Sequence, residues 1–184
     1  MTSRYKKRFS NLIQFVTALW IIEILNILVD HRLCNWGIYP RTTEGLMGIV
    51  FSPLLHTSIV HLVLNTGPIV VLGFLITLDS KALFWKTTFF ITFLGGLLVW
   101  GFARSAYHVG ASGLIFGYFG FLVFRGFFNL KVLSLVISFF TLFIYGGLFW
   151  QMLPTISRIS WESHLCGFIA GILAAYNIRV NPQN

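Results

Sequence analysis

The chain has 184 residues, of which 57% are hydrophobic and only 10% charged, and its mean hydropathy is +0.82. A soluble domain carries about 25% charged residues, so thirteen Lys and Arg, five Asp and Glu and twenty Phe cannot cover a water-facing surface around an ordinary core. Lipid must solvate most of the chain, which excludes a soluble enzyme, a disordered chain and a zinc ribbon.

Crossing a bilayer takes roughly 20 apolar residues in a helix, so the rare charges act as punctuation. In chain order the apolar runs predict six helices, near 11–29, 58–78, 85–104, 112–128, 131–150 and 163–179. The runs are apolar on every face, whereas a lipid-exposed strand would alternate, so helix is the expected state. The first run continues past Glu23 to Val29; it is too long for a signal peptide and lacks a small-x-small cleavage site. The connection 30–57 carries enough Trp, Tyr and Phe to lie in the outer interface. The expected fold class is an all-α membrane protein: a six-transmembrane-helix bundle forming one polytopic domain over 1–184, with short tails at 1–10 and 180–184.

The basic residues set the orientation. If the N-terminal end is cytoplasmic, that side holds Arg4, Lys6, Lys7, Arg8, Lys81, Lys86, Arg125, Lys131 and Arg179, and the other holds Arg32, Arg41, Arg104 and Arg158. Nine against four places both termini in the cytoplasm. Charges scattered among loops form no continuous basic face, so no nucleic-acid partner is expected. The short tails and the lack of a transit-like leader point to a bacterial plasma membrane.

Strongly polar side chains are costly in lipid, so each one inside a span is a functional candidate. These are Glu23, His56, His61, Asn65, Ser112 and His164. At about 1.5 Å of rise per residue, Asn65, Ser112 and His164 lie roughly 20–22 Å from the nearest cytoplasmic charge on their respective helices. A serine and a histidine at one depth make a nucleophile and a general base if their helices touch. Gly113, Gly117 and Gly120 form a small-residue stripe on the fourth helix; His164, Gly167 and Gly171 share a face of the sixth. Such stripes allow close backbone approach. Ser112 follows Gly110-Ala111 where a helix starts, a favourable N-cap position, and the first-turn amides can face a developing oxyanion. His61 and Asn65, four apart, share a face and offer neutral donors for the same charge.

Each feature has a plainer reading: a serine bonding its own backbone, glycines that only pack, a structural histidine. Their conjunction at one depth favours chemistry. Glu23 is expected to be structural, bonding the 30–57 segment, and His56 to be a brace at the outer end of the second helix; His31 and His108 are expected in interfacial loops. Glu162, two residues from His164, faces the wrong side of the helix, so the arrangement is a dyad. No HExxH motif occurs, and Asp30 and Asp79 fall at boundaries, too shallow for an aspartic dyad. Cys34 and Cys166 lie at different depths, so neither a disulfide nor a metal pair is expected. No metal or cofactor is called for.

Three motifs resemble the rhomboid intramembrane serine proteases: His56-Thr57-Ser58-Ile59-Val60-His61-Leu62-Val63-Leu64-Asn65, Gly110-Ala111-Ser112-Gly113, and His164-Leu165-Cys166-Gly167 leading to Gly171. The resemblance runs from Gly37 to about Arg179 and implies the basic six-helix form. It implies Ser112 as nucleophile, His164 as base, and His61, Asn65 and the Ser112 amide around the oxyanion. It further implies a water-filled cavity open to the outer side, gating by the outer part of the fifth helix, and single-pass membrane proteins as substrates. Many members carry Trp-Arg in the first outer loop where this chain has Leu46-Met47-Gly48-Ile49, and Tyr four residues after the serine where it has Phe116. The first departure bears on loop packing; the second keeps a ring able to stack on His164. The competing function is a non-catalytic rhomboid-like protein that binds membrane clients. A small transporter is weaker still, since no broken helix pair or inverted repeat is present.

Overall fold

A computed structural model describes residues 3–78, 80–154 and 160–178. The charge markers Asp79, Arg158 and Arg179 and the expected tail 180–184 lie outside the described residues, as do Met1 and Thr2 at the other end. Seven α-helices follow in order: α1 (Ser3–Leu28), α2 (Thr43–Phe51), α3 (Ile59–Thr77), α4 (Lys81–Phe102), α5 (Ser112–Asn129), α6 (Val132–Tyr145) and α7 (Trp161–Asn177). Among the described residues there is no strand, only an isolated backbone bridge between Ile38 and His108. Six helices correspond to the expected runs; α1 starts at Ser3, so residues 3–10 continue the helix. The seventh, α2, lies in the connection 30–57.

Side-chain caps explain several of these starts. Thr42, Ser58 and Ser80 accept from the amides of Gly45 (3.1 Å), His61 (3.2 Å) and Leu83 (3.1 Å), each satisfying an amide that no helical carbonyl can reach. Only a few residues separate α3 from α4 and α5 from α6, which makes each pair antiparallel neighbours. Leu130 caps α5 in the left-handed region, at φ 52.

Among the described residues, four segments are long and apolar enough to cross a membrane: Phe9–Leu28, Ile59–Thr77, Ala82–Phe102 and Val132–Met152, the last running from α6 into a 3₁₀ turn. The protein is therefore a multi-pass, all-helical membrane protein. The other two expected runs, α5 and α7, have a different environment. Twelve of the eighteen residues of α5 are buried, and α3, α4, α6 and α7 pack around it. A helix facing protein does not need a lipid-soluble perimeter, so α5 and α7 carry the glycines, Arg125 and Glu162.

The α5–α7 contact is the most extensive in the bundle. A Cβ on Gly167 would collide with the Gly113 carbonyl, and one on Gly171 with the Gly117 carbonyl. The two backbones thus cross at a separation that only hydrogen side chains permit. Polar pairs add register: Thr88 Oγ1 meets the Tyr118 hydroxyl at 2.6 Å between α4 and α5, and the Ser138 hydroxyl of α6 donates to the Val123 carbonyl of α5. By contrast α6 is mostly lipid-facing, with Val132, Phe139 and Phe143 each more than 70% exposed.

The first outer loop packs without a Trp-Arg pair. The Arg41 guanidinium donates to the Ala103 carbonyl (2.7 Å) and Ser105 Oγ (3.1 Å), and Trp100 Nε1 donates to the Thr42 carbonyl (2.8 Å). Gly45 and Gly48 of α2 lie against the backbones of Tyr39 and Gly37.

The helix crossing makes a prediction of opposite signs. Gly171→Ala is expected to destabilise the protein by about 1–3 kcal/mol through overpacking. Gly101→Ala, where a Cβ meets open space, is expected to stabilise by about 0.5–1 kcal/mol. Denaturant unfolding in mixed micelles measures both, and a shift of the same sign for the two variants would contradict the packing argument.

Candidate active site

Ser112 is the first residue of α5, with Ala111 at the N-cap position (φ −74, ψ −1). This corrects the expectation that Ser112 itself is the cap; its side chain is half-buried. The first helical bond of α5 runs from the Ile115 amide to the Ala111 carbonyl (3.0 Å), so the Ser112 and Gly113 amides precede the helical ladder.

The turn that presents Ser112 hangs from three points. The Gly110 amide donates to the Ser52 carbonyl (2.9 Å), the Ala111 amide to His56 Nε2 (3.4 Å), and His108 exchanges two backbone bonds with Ile38 (3.1 and 2.9 Å). Gly110 has φ 113, a conformation that side chains strain. A Cβ there would also press within 2.8 Å of His61 Nε2, so the His61 ring lies directly against this turn. His61 and Asn65 are both on α3. Asn65 is 6% exposed, and its Nδ2 has no hydrogen-bond partner.

His164 is 4% exposed on α7, and its ring stacks on Phe116, with centroids 4.1 Å apart and planes 6° from parallel. Phe116 lies one turn below Ser112 on α5, so the stack puts the imidazole over the face of α5 that carries the serine. His164 Nδ1 donates to the Gln151 carbonyl (3.0 Å). A carbonyl only accepts, so Nδ1 carries the proton and the neutral ring keeps its lone pair on Nε2. No hydrogen bond joins Ser112 Oγ to His164. Gly113 and Gly167 meet backbone to backbone beside the pair. Glu162 points elsewhere, pairing with Arg104 Nε at 3.6 Å.

Behind Gly110 and Gly113 lies a cavity of about 40 Å³, with Ser52, Thr92, His108 and Ser163 among its lining residues. That is room for about two or three waters in a partly polar setting.

Supporting residues beyond the expected set come from α1 and the loops. Asn26 is fully buried: its Nδ2 donates to the His56 carbonyl (2.9 Å), and its Oδ1 accepts from the Leu33 amide (3.2 Å). It thereby ties α1 to the residue that holds the Ala111 amide. Asn26 sits inside the first apolar run, so the rule that singled out Glu23 was sufficient to find it. Glu23 Oε1 pairs with His31 Nε2 at 3.2 Å, joining α1 to the 30–57 segment. The Gln151 carbonyl left no trace in the sequence, because a backbone acceptor has no residue type.

His108 is not an interfacial loop residue: it is 3% exposed, because its backbone pairs with Ile38 and its ring is bonded on both sides. Nε2 donates to the Arg104 carbonyl (3.0 Å), and Nδ1 accepts from the Ser160 hydroxyl (2.5 Å).

With this geometry in view, comparison with known proteins settles the family. A family model described as the Rhomboid domain matches residues 43–181. The chain belongs to the rhomboid family. Its relatives include an uncharacterized protein of Mycobacterium tuberculosis, 42% identical over 176 residues, which span 91% of this chain and 73% of the relative. One of Mycobacterium leprae is 39% identical over 174 residues, 90% of this chain and 69% of the relative. A protein of Acanthamoeba polyphaga mimivirus that is named a rhomboid protein is 28% identical over 164 residues, 84% and 86% of the two chains. Membership makes this rhomboid an intramembrane protease or an inactive relative of one.

Burial, the largest influence, holds the His108 imidazole below the ordinary histidine value; the Arg104 charge acts with it, and the Arg104 carbonyl and Glu162 charge act against it. The stability that the neutral ring contributes is therefore complete above about pH 6.5 and is lost as pH falls through the lower folded value. The melting temperature of this rhomboid is expected to fall between about pH 7 and about pH 5 more steeply than that of His108→Asn, which has no titrating ring there. Parallel curves would show that His108 is not the responsible group.

Proposed function

We propose that the protein is an intramembrane serine endopeptidase that cleaves transmembrane or membrane-boundary segments of membrane proteins through a Ser112–His164 dyad. The observation that carries this reading is the Phe116–His164 stack, with Nδ1 engaged by the Gln151 carbonyl and the Nε2 lone pair unengaged. This is the tautomer that a general base needs. His164 Nε2 takes the proton of Ser112 Oγ as the oxygen attacks the scissile carbonyl. The same proton then passes to the leaving amine, and water hydrolyses the acyl-enzyme. Serine–base hydrogen bonds often tighten only in the substrate complex, so approach of a peptide is the step that closes this pair.

The oxyanion would be met by the Ser112 amide, the unpartnered Asn65 Nδ2 and His61, whose ring lies against Gly110. Gly110, Gly113 and Gly167 serve by leaving room, and His56 by holding the Ala111 amide. The cavity behind Gly110 supports a local store of hydrolytic water. Residues 1–184 would form one domain of six spans, α1, α3, α4, α5, α6 and α7, with both termini cytoplasmic; the placement of the basic residues supports this. The mycobacterial relatives support a bacterial plasma membrane. Single-pass proteins, presented from the bilayer, are the substrates this reading implies.

Ser112→Ala is expected to reduce cleavage of a model transmembrane substrate to background, a loss of more than about 10³-fold, while the protein still accumulates in the membrane. A fluorophosphonate probe should label the wild type at Ser112 and fail on His164→Ala. Undiminished cleavage by Ser112→Ala would remove the dyad. Absence of both cleavage and labelling in the wild type would favour a client-binding rhomboid instead.

A further inference from the structure

A second cluster of histidine and serine lies outside the dyad. The His108 ring reaches from the loop before α5 to the start of α7, where the Ser160 and Ser163 hydroxyls complete a chain. Its direction is fixed at one end. The Arg104 carbonyl can only accept, so His108 Nε2 carries the proton and Nδ1 is the acceptor. Ser160 therefore donates to Nδ1 (2.5 Å) and accepts from Ser163 (2.7 Å). Ser163 Oγ also lies 3.4 Å from Nδ1. The Ser160 carbonyl in turn accepts the backbone amide of His164 (3.3 Å).

The two anchors have matching positions. His108 stands four residues before Ser112, and Ser160 four before His164. Each is on the same short piece of backbone as one reacting group, and the clamp joins the pieces. The charged groups facing the ring are Arg104 and Glu162, paired with each other at 3.6 Å, with Arg104 in an exposed position. That ion pair joins the same two segments through a single long contact between a buried carboxylate and an exposed guanidinium, and the short His108–Ser160 bond is the directional tie beside it.

We propose that His108 is a positioning residue for this rhomboid: through Ser160 and Ser163 it sets the register of the Ser112 turn against the end of α7 that carries His164. The inference rests on the dyad reading for its chemical consequence, but the clamp itself does not. A shift of one segment relative to the other changes the Ser112–His164 geometry without touching a substrate-binding surface. Loss of the clamp therefore lowers kcat and leaves KM unchanged.

The test separates the atoms of the ring from its bulk. In His108→Asn the amide oxygen takes the place of Nδ1 and can still accept from Ser160. In His108→Gln the amide reaches the place of Nε2 and can still donate to the Arg104 carbonyl, but the acceptor for Ser160 is gone. Size alone ranks Gln as the milder change; the clamp ranks Asn as the milder.

Hydrogen exchange of the full-length protein in nanodiscs, without substrate, is the first measurement. His108→Gln and Ser160→Ala should both speed exchange in residues 108–114 and 160–166 and leave α1 as in the wild type, with His108→Asn close to the wild type. Unchanged exchange in Ser160→Ala, or a faster rate in Asn than in Gln, would overturn the proposal.

The second measurement is cleavage kinetics. His108→Gln and Ser160→Ala should each lower kcat roughly tenfold, the scale of one neutral hydrogen bond, with no change in KM. The double variant should be no worse than either single one, because both remove the same bond. Additive losses, or losses confined to KM, would overturn it. If the wild type neither cleaves nor is labelled at Ser112, the protease reading fails, and the exchange data still decide the clamp.

Discussion

The close crossing of α5 and α7 is the constraint on which the rest of the bundle depends. In lipid there is no hydrophobic gain in bringing two apolar helices together, so association relies on contact area and on interhelical hydrogen bonds. Gly113, Gly117, Gly167 and Gly171 let the two backbones touch along their length. That contact places the His164 ring against Phe116, and Phe116 is on the same face as Ser112. A wider crossing would leave the histidine and serine helices in the same membrane but in separate environments.

The crossing also explains why the two helices bearing the candidate chemistry are the least like membrane spans. Sheltered by α3, α4 and α6, α5 can carry glycines and a buried arginine, whose guanidinium donates to the Ile178 carbonyl (3.3 Å) and stands over the Phe121 ring. The outer helices supply the lipid-facing surface. Among them α6 has the fewest buried residues, only Ser138 and Thr141, yet its 3₁₀ extension delivers the Gln151 carbonyl to His164. The outer helix with the fewest buried residues thus leads into the turn that fixes the tautomer of a buried imidazole.

Around this centre, buried polar groups work as ties between loops. Asn26 joins α1 to the His56 backbone, His56 holds the Ala111 amide, and His108 spans from the Ile38 segment to Ser160. Each bond has modest net value in water, but an unpaired amide or carbonyl at this depth is expensive. Most of these ties are made, and Asn65 Nδ2 and His56 Nδ1 are among the buried polar atoms left without a hydrogen-bond partner.

Composition and the spacing of charges were enough to determine an all-helical membrane protein and the approximate limits of six apolar runs, because lipid tolerates no unsatisfied backbone and few charges. The depth arithmetic, a one-dimensional argument, also singled out Ser112, His164 and Asn65, and the four-residue spacing added His61. What it could not determine was which side of a loop is inside. The helix α2 was invisible because its apolar residues are too few to span. His108 read as an interfacial residue because burial in a loop comes from contacts distant in sequence, here with Ile38 and Ser160. The register of Ser112 as first helical residue, the Gln151 carbonyl on His164 and the substitution of Arg41 and Trp100 for a loop motif were decided only by tertiary structure, since each depends on backbone groups whose positions no residue type encodes.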